Sequence, residues 1–112
     1  MSDVVIVMTT IGEDAADELA RTLVEERLAA CVNVLPPMSS TYWWKGRVER
    51  ETERQLFIKT TRDRLTALEA RFRALHPYEL PEFIVMRPEA VGEAYAAWVA
   101  AETGHEDTKA RG

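Results

Sequence analysis

The densest group of chemically capable side chains lies in the segment His76–Glu82, which reads His-Pro-Tyr-Glu-Leu-Pro-Glu. It offers an imidazole from His76 and carboxylates from Glu79 and Glu82, on a backbone that two prolines restrict. These groups suit a borderline divalent cation, and the thioether of Met8 would add a soft ligand that favours cuprous copper. We therefore treat the segment as a candidate cation site that a neighbouring subunit completes. The alternative is a rigid connector whose His76 stabilises the end of the preceding helix.

Other catalytic or metal chemistry finds little support in the sequence. The glycines are scattered, so a phosphate-binding loop is absent, and so is a Gly-x-Ser-x-Gly motif. A closed zinc site needs four ligands, mostly Cys and His, and the chain has one Cys and two His. Cys31 follows an Ala-Ala pair in an apolar segment, where a buried and inert thiol is expected. We predict that the chain is not an enzyme and requires no cofactor; acid–base catalysis by His76 with a carboxylate is the alternative.

Composition places these groups on one acidic domain. The chain has 112 residues, of which 46% are hydrophobic, enough for a single core. Its 14 basic and 19 acidic residues give a net charge of −5, which argues against a dedicated nucleic-acid binder. The single cysteine cannot form a disulfide within the chain, and the apolar run over residues 4–8 is too short for a signal peptide or a membrane span. We expect a cytoplasmic protein with one domain over residues 1–104 and a disordered tail over 105–112.

Hydrophobic spacing and turn residues predict the elements that hold these side chains. The strands are expected over residues 4–8, 30–35, 41–58 with a turn at Lys45-Gly46, and 82–86. The helices are expected over residues 13–28, from about 63 to 75, and from 91 to about 104. A proline pair at 36–37 should interrupt the second strand.

The order of these elements predicts an α+β, ferredoxin-like βαββαβ fold with an extra C-terminal helix and a long hairpin between the second and third strands. Such a sheet carries helices on one face only, and the other face should alternate polar and apolar residues. Here the first strand reads VVIVM and the fourth reads FIVM, so the helix-free face is predicted to be apolar. We expected these two strands to lie apart in the sheet, which would make the apolar surface broad. A second copy of the chain is the simplest cover for it.

The hairpin aromatics point to the same conclusion. Tyr42, Trp43 and Trp44 are consecutive, and neighbouring residues on a strand face opposite sides. At least one tryptophan must therefore lie outside the core of the subunit. We predict that these three residues contribute to an oligomer interface, where aromatic side chains are favoured anchors.

Four motifs occur in an order that resembles the CutA family of divalent-cation tolerance proteins. The resemblance covers about residues 3–102, and its motifs are Leu28–Asn33 (LAACVN), Tyr42–Gly46 (YWWKG), Lys59–Thr61 (KTT) and His76–Glu82 (HPYELPE). It implies a ferredoxin-like subunit in a homotrimer similar to PII-type signalling proteins. The sheets would face inward, the helices would lie outside, and the long hairpins would pair with neighbouring strands.

The resemblance also implies tolerance of, or response to, divalent metals, above all copper. Copper binding in that family is attributed to a thiol at the end of the first strand and a histidine pair before Pro-Tyr. Here Met8 stands at the thiol position, and Leu75 and His76 stand at the pair, so only His76 matches. The expected metal ligands are thus His76 with Met8, to which proximity in sequence adds Glu79 and Glu82. Weak divalent-cation binding is the leading expectation; a small-ligand sensor with sites between subunits, or a scaffold for a protein partner, is the alternative.

Overall fold

The computed structural model describes residues 2–104, and the predicted tail lies outside them. The strands are β1 (Val4–Gly12), β2 (Cys31–Val34), β3 (Met38–Trp44), β4 (Arg47–Thr61) and β5 (Ile84–Met86). The helices are α1 (Ala16–Glu25), α2 (Leu65–Leu75) and α3 (Glu93–Glu102), and short 3-10 turns precede α1 and α2. This order matches the predicted α+β arrangement, because β2 and β3 are the two parts of the strand that the proline pair interrupts.

All strand pairs are antiparallel, and the sheet order is β2-β4-β1-β5, with β3 paired to β4 alone. The first and last strands are therefore neighbours, and the expectation that they lie apart was wrong. In a ferredoxin-like sheet the central β1 has two partners, and here β5 fills the side that β4 leaves open. The apolar surface is consequently continuous rather than split across the sheet.

Several boundaries differ from the sequence prediction for local reasons. β1 continues past Met8 to Gly12, because Thr9 and Ile11 extend its inward-facing row and are 0% and 1% exposed. α1 ends before residue 28, because Arg27 adopts a left-handed φ of 60° and the next two amide groups donate back to the carbonyl of Leu23. A left-handed residue cannot continue a right-handed helix.

The core lies between the sheet and helices α1 and α2. Its fully buried members include Leu23 from α1, Phe72 from α2 and Leu56 and Ile58 from β4. Cys31 does not join them: it begins the edge strand β2 and is only half-buried, so the expected burial of its thiol was wrong.

The opposite face of the sheet carries a group of apolar side chains that remain partly exposed. Directly paired residues of an antiparallel sheet share a face, and the pairings place Ile6, Met8, Phe57, Ile84 and Met86 together, with the polar Lys59 and Asn33 on the same face. We call this group the apolar sheet face. Its members are half-buried apart from Ile84, which is 44% exposed. The predicted apolar group is therefore present on this face, although Lys59 and Asn33 interrupt it.

β3 and the first half of β4, residues 47–53, form a two-stranded extension, which we call the ribbon. It helps to give the chain an elongated shape of 52 × 27 × 22 Å. At its tip Lys45 and Gly46 both have positive φ, 50° and 81°, as a two-residue hairpin turn requires. Trp43 is 74% exposed, so one tryptophan does lie outside the subunit core.

Helix α3 differs from its prediction as an amphipathic helix. Only Val99 among its large apolar residues is buried, whereas Tyr95 and Trp98 are 41% and 43% exposed with ring centroids 5.5 Å apart. The side chain of Arg27, which follows α1, forms an ion pair of 3.1 Å with Glu102, the last residue of α3. Within residues 2–104, no helix is long and apolar enough to span a membrane.

Candidate functional site

A cleft of about 580 Å³ opens between the ribbon and the loop that follows α2. We call it the acidic cleft, because four carboxylates and several aromatic rings form its walls. Its lining residues are Thr10, Met38, Ser40, Tyr42, Trp43, Trp44, Glu51, Glu53, Gln55, Tyr78, Glu79, Leu80 and Glu82.

Strand alternation positions the ribbon wall of the cleft. Glu51 lies opposite Ser40 and Glu53 lies opposite Met38 in the β3–β4 ladder, so these side chains share one face. Tyr42 lies two residues along β3 on that same face. The alternation therefore collects carboxylates and an aromatic ring on the side of the ribbon that continues the apolar sheet face.

Hydrogen bonds from the sheet fix the loop wall. The Thr9 hydroxyl donates to the main-chain carbonyl of Glu82, and the Gln55 amide donates to the Thr9 carbonyl at 2.7 Å and to the Glu82 carboxylate at 3.4 Å. The Tyr78 hydroxyl donates to Oε2 of Glu53 at 2.7 Å and thereby bridges the two walls. These hydrogen bonds hold the loop against the sheet and the ribbon.

The electrostatic environment of the cleft is negative. Glu53 is only 6% exposed, and its hydrogen-bond partner is the neutral Tyr78 hydroxyl. Burial and the bond to Glu53 raise the pKa of Tyr78 far above its usual value. Burial likewise raises the pKa of Tyr42, and the nearby carboxylates, Glu51 first, add to the increase. Both phenols therefore remain protonated donors at neutral pH.

Lys45 contacts two residues that line the cleft. The ammonium of Lys45 is 5.4 Å from the ring centroid of Trp44 and 3.7 Å from Oε1 of Glu79. Both charged side chains are largely exposed, so the pair contributes little to stability. In this arrangement an aromatic ring and a carboxylate both contact one primary ammonium group.

His76 is buried behind the loop wall, and both of its ring nitrogens have partners. Nδ1 accepts from the main-chain N–H of Tyr78 at 3.2 Å, so Nε2 carries the hydrogen that is donated to the Thr10 carbonyl at 2.8 Å. Burial lowers the pKa of His76, although the Thr10 carbonyl and the Glu53 charge oppose that shift. A metal ion would have to displace one of these hydrogen bonds to bind this imidazole.

The structure brings together five of the seven residues that the sequence singled out. Tyr42, Trp43, Trp44, Glu79 and Glu82 all line the acidic cleft. His76 and Met8 do not line it: the histidine lies beneath the loop, and the methionine belongs to the apolar sheet face. Within residues 2–104, no three or more His, Cys, Asp or Glu side chains are grouped as a metal site. Metal binding by this set therefore stays a prediction.

Several residues of the cleft were not identified from the sequence, among them Glu51, Glu53, Gln55 and Tyr78. The first three belong to a predicted strand, in which they occur at every second position. That period places them on one face, and the register with β3 then sets them beside Tyr42. The signal was present, but its use required knowing which face of the ribbon closes the cleft.

Comparison with known proteins gives a consistent result. The family described as CutA1 divalent ion tolerance protein matches residues 4–102. The divalent-cation tolerance protein CutA of Thermus thermophilus is 40% identical over 100 residues, which cover 89% of this chain and 97% of that one. The human protein CutA is 42% identical over 92 residues, covering 82% of this chain but 51% of the human one, so the chain spans about half of that relative.

Solved structures agree with this fold. The crystal structure of CutA from Xylella fastidiosa superposes with a TM-score of 0.87 at 42% identity, covering 91% of this chain and 99% of that one. The PII-like protein CutA from Nostoc gives a TM-score of 0.84 at 40% identity, covering 88% and 96%. The ferredoxin-like fold, the four motifs and these matches together show that the chain belongs to the CutA1 family of divalent ion tolerance proteins.

Proposed function

We propose that this protein acts as a homotrimer in tolerance of, or response to, divalent cations. The observation that supports the assembly is the apolar sheet face, whose side chains remain partly exposed in the single chain. Exposed apolar surfaces of this kind mark interaction sites on soluble proteins. The ribbon adds a second reason, because an isolated two-stranded hairpin is marginally stable in water.

The charges of the ribbon favour a cyclic arrangement of subunits. Glu51 and Glu53 lie on the cleft face, whereas Arg50 and Arg54 alternate with them and lie on the opposite face. A cyclic oligomer joins two different surfaces of the same chain, and oppositely charged faces meet that requirement. Three subunits are proposed because of the resemblance to trimeric PII-type proteins.

Light scattering of the full chain at low micromolar concentration tests the assembly. We expect a mass three times the 12.7 kDa of the single chain. Reversing one charged face with Arg50→Glu should weaken the assembly, whereas Arg73→Glu on α2 serves as a matched control away from the ribbon. A wild-type mass equal to one chain would overturn the proposal.

We further propose that direct contact with copper and other divalent cations is weak and is made by the carboxylates Glu79 and Glu82 of the acidic cleft. Oxygen ligands attract such ions, but a tight copper site needs softer imidazole or thiolate ligands in a fixed geometry. His76 is engaged in two hydrogen bonds within the subunit, and Met8 belongs to the apolar sheet face. We therefore assign His76 a structural role.

Titration calorimetry with Cu²⁺ and Zn²⁺ tests this assignment in wild type, Glu82→Gln and His76→Gln. Loss of the glutamate charge should weaken binding several-fold, whereas the histidine substitution should leave it unchanged. The opposite result, with binding abolished only in His76→Gln, would show that the imidazole is the metal ligand and that the metal replaces one of its hydrogen bonds.

A second candidate function, sensing of a small organic ligand, is supported by the size of the acidic cleft. At about 580 Å³ it falls in the range of small-molecule sites, and its walls combine apolar rings with a few polar groups. A thermal-shift screen of metabolites tests this function, because a ligand that prefers the folded state raises the melting temperature. The absence of any shift across charged and neutral compounds would exclude it.

A further inference from the structure

We propose that a hollow on the helical side of the subunit docks a short basic segment of a partner protein through one aliphatic side chain. The hollow lies between α1 and α2 and has a volume of about 190 Å³. We call it the helical hollow, and its lining residues are Ile11, Ala15, Glu18, Leu19, Thr22 and Leu75. It gives a surface to the scaffold role that the sequence leaves open, and it depends neither on the acidic cleft nor on metal binding.

The size of the hollow suits one side chain rather than a metabolite. At about 190 Å³ it is smaller than typical small-molecule sites, which span about 300–1,000 Å³. An apolar cavity of about 150 Å³ is enough to hold a benzene molecule. Leu75, at the end of α2, remains 36% exposed beside the hollow. A branched aliphatic side chain that enters the hollow would remove this apolar surface from water.

Contacts within the subunit form the hollow before any partner arrives. Its floor consists of Ile11 and Leu19, which are only 1% and 4% exposed. Beside it, the Arg71 guanidinium of α2 donates two hydrogen bonds of 2.8 Å to the Glu26 carboxylate, at the end of α1. These two residues lie one helical turn from Leu75 and Thr22, which line the hollow. A docking side chain therefore meets a preformed surface, which lowers the cost of binding.

The rim of the hollow is acidic. Glu18 lines it, and Glu13, Asp14 and Asp17 precede this residue along the chain. All four are exposed, and within residues 2–104 none has a lysine, arginine or histidine nitrogen within 4.0 Å. Acidic residues at the start of a helix offset its dipole, but that role does not require an apolar hollow beside them. A segment with lysine or arginine on both sides of an aliphatic residue complements the rim and the hollow together.

The same features disfavour other classes of macromolecule. No lysine, arginine or histidine is among the residues that line the hollow. An acidic peptide would therefore be repelled by the rim. A nucleic acid would be repelled as well, because its binding requires cations that neutralise the phosphates.

The hollow remains accessible in the proposed trimer. Ile11 belongs to the row of β1 that packs into the core beneath α1 and α2. The apolar sheet face lies on the other side of the same strand. Subunits that associate through that face leave the two helices outside. Three hollows on one assembly would also let a partner with several such segments bind with avidity.

The inference is tested by nuclear magnetic resonance titration of the full chain with the synthetic peptide acetyl-Lys-Lys-Leu-Lys-Lys-amide. We expect changes in amide shifts confined to α1, the end of α2 and the end of β1. A peptide with alanine in place of the leucine should bind about tenfold more weakly, because it buries less aliphatic surface. The peptide acetyl-Glu-Glu-Leu-Glu-Glu-amide should not bind.

Three variants separate the hollow from its rim. Ala15→Leu fills the hollow without a change of charge and should weaken binding of the leucine peptide about tenfold. Glu18→Lys reverses a charge at the rim and should weaken it to a similar extent. Glu93→Lys makes the same change of net charge at the exposed start of α3, so it is the matched control and should have little effect. Far-ultraviolet circular dichroism checks that each variant folds.

Three other outcomes would overturn the inference. Equal binding of the leucine and alanine peptides would mean that charge alone acts and that the hollow takes no side chain. Shifts confined to the acidic cleft would place the peptide on the wrong surface. The absence of binding at millimolar peptide would remove the hollow as a docking site. None of these results alters the mass in light scattering or the titration with Cu²⁺, so a failure here is distinct from a failure of the proposed function.

Discussion

The two halves of β4 belong to one strand but obtain their stability from different sources. Residues 54–61 pair with β1, and residues 56–59 pair with β2 as well. Leu56 and Ile58 of this part lie in the core. Residues 47–53 pair along their length with β3 and are mostly exposed. Residues 54–61 are held by burial within the subunit, whereas residues 47–53 form one wall of the cleft and have few buried neighbours. The buried core residues and the residues of the candidate site thus occupy different parts of a single strand.

The largest effect is expected from breaking the buried half. Leu56 is fully buried beside Ile58 and Phe72, so Leu56→Ala should lower the free energy of unfolding by about 2–5 kcal/mol. Chemical denaturation of the assembled protein, followed by circular dichroism, measures this loss. Val48→Ala, at an exposed position of the other half, is the matched control and should cost less than about 0.5 kcal/mol in the unfolding of the subunit. Similar losses in both variants would show that the two halves do not differ.

The ribbon should respond in assembly rather than in subunit folding. Trp43 is 74% exposed, and tryptophan is a frequent hot spot of interfaces. We expect Trp43→Ala to weaken association by about 2 kcal/mol or more while far-ultraviolet circular dichroism keeps its shape. Sedimentation at several concentrations measures the shift toward single chains. Trp43→Phe should retain most of the association, and an unchanged mass in Trp43→Ala would place the ribbon outside the interface.

The buried part of the molecule could be predicted from the sequence more fully than the exposed cleft. Helices, strands and the apolar sheet face could be predicted, because burial imposes a period on residues such as Val7, Ile58 and Phe72. The cleft could be predicted only in part. Tyr42, Glu79 and Glu82 come from segments distant in sequence, and their meeting depends on register and on the hydrogen bonds of the loop. The local spacing of residues in a sequence does not show which distant segments come into contact.

His76 illustrates the limit of interpretation by residue type. The same imidazole suits a metal ligand and a buried structural donor, and the difference lies in the Thr10 carbonyl and the Tyr78 N–H that occupy its nitrogens. Nothing in the spacing of the segment His76–Glu82 distinguishes the two roles. The structure is needed to distinguish them, because metal binding requires a ring nitrogen that is free of other hydrogen bonds.

A pH experiment separates these roles for His76 and connects the two halves, because Glu53 lies near the imidazole. Burial lowers the pKa of His76 below 6.5, so the unfolded chain takes up its proton first as the pH falls. The stability that His76 contributes should be complete above pH 6.5 and decline below it. His76→Gln should be about 1–3 kcal/mol less stable than wild type at pH 8, because the Tyr78 N–H loses its acceptor. The difference should shrink toward pH 5 in denaturation curves; a difference that grows instead would show that the histidine is charged when folded.

The smallest effect concerns the tip of the ribbon, where Lys45 has a φ of 50°. A side chain other than glycine, asparagine or aspartate in this region costs about 1–2 kcal/mol, so Lys45→Asn should relieve part of the strain. It also removes the contacts to Trp44 and Glu79, which are exposed and contribute about 0.5–1 kcal/mol each at most. We therefore expect Lys45→Asn to unfold within about 0.5 kcal/mol of wild type, and Lys45→Met, which keeps the strain and loses the charge, to be less stable than the asparagine variant.

Differential scanning calorimetry of the two Lys45 variants measures this order. If Lys45→Asn instead loses more than about 1 kcal/mol, the contacts of the lysine exceed the usual value of exposed pairs and hold the ribbon together themselves. The exposed half of β4 would then carry stability of its own, and the division between the two halves would have to be drawn nearer to the tip.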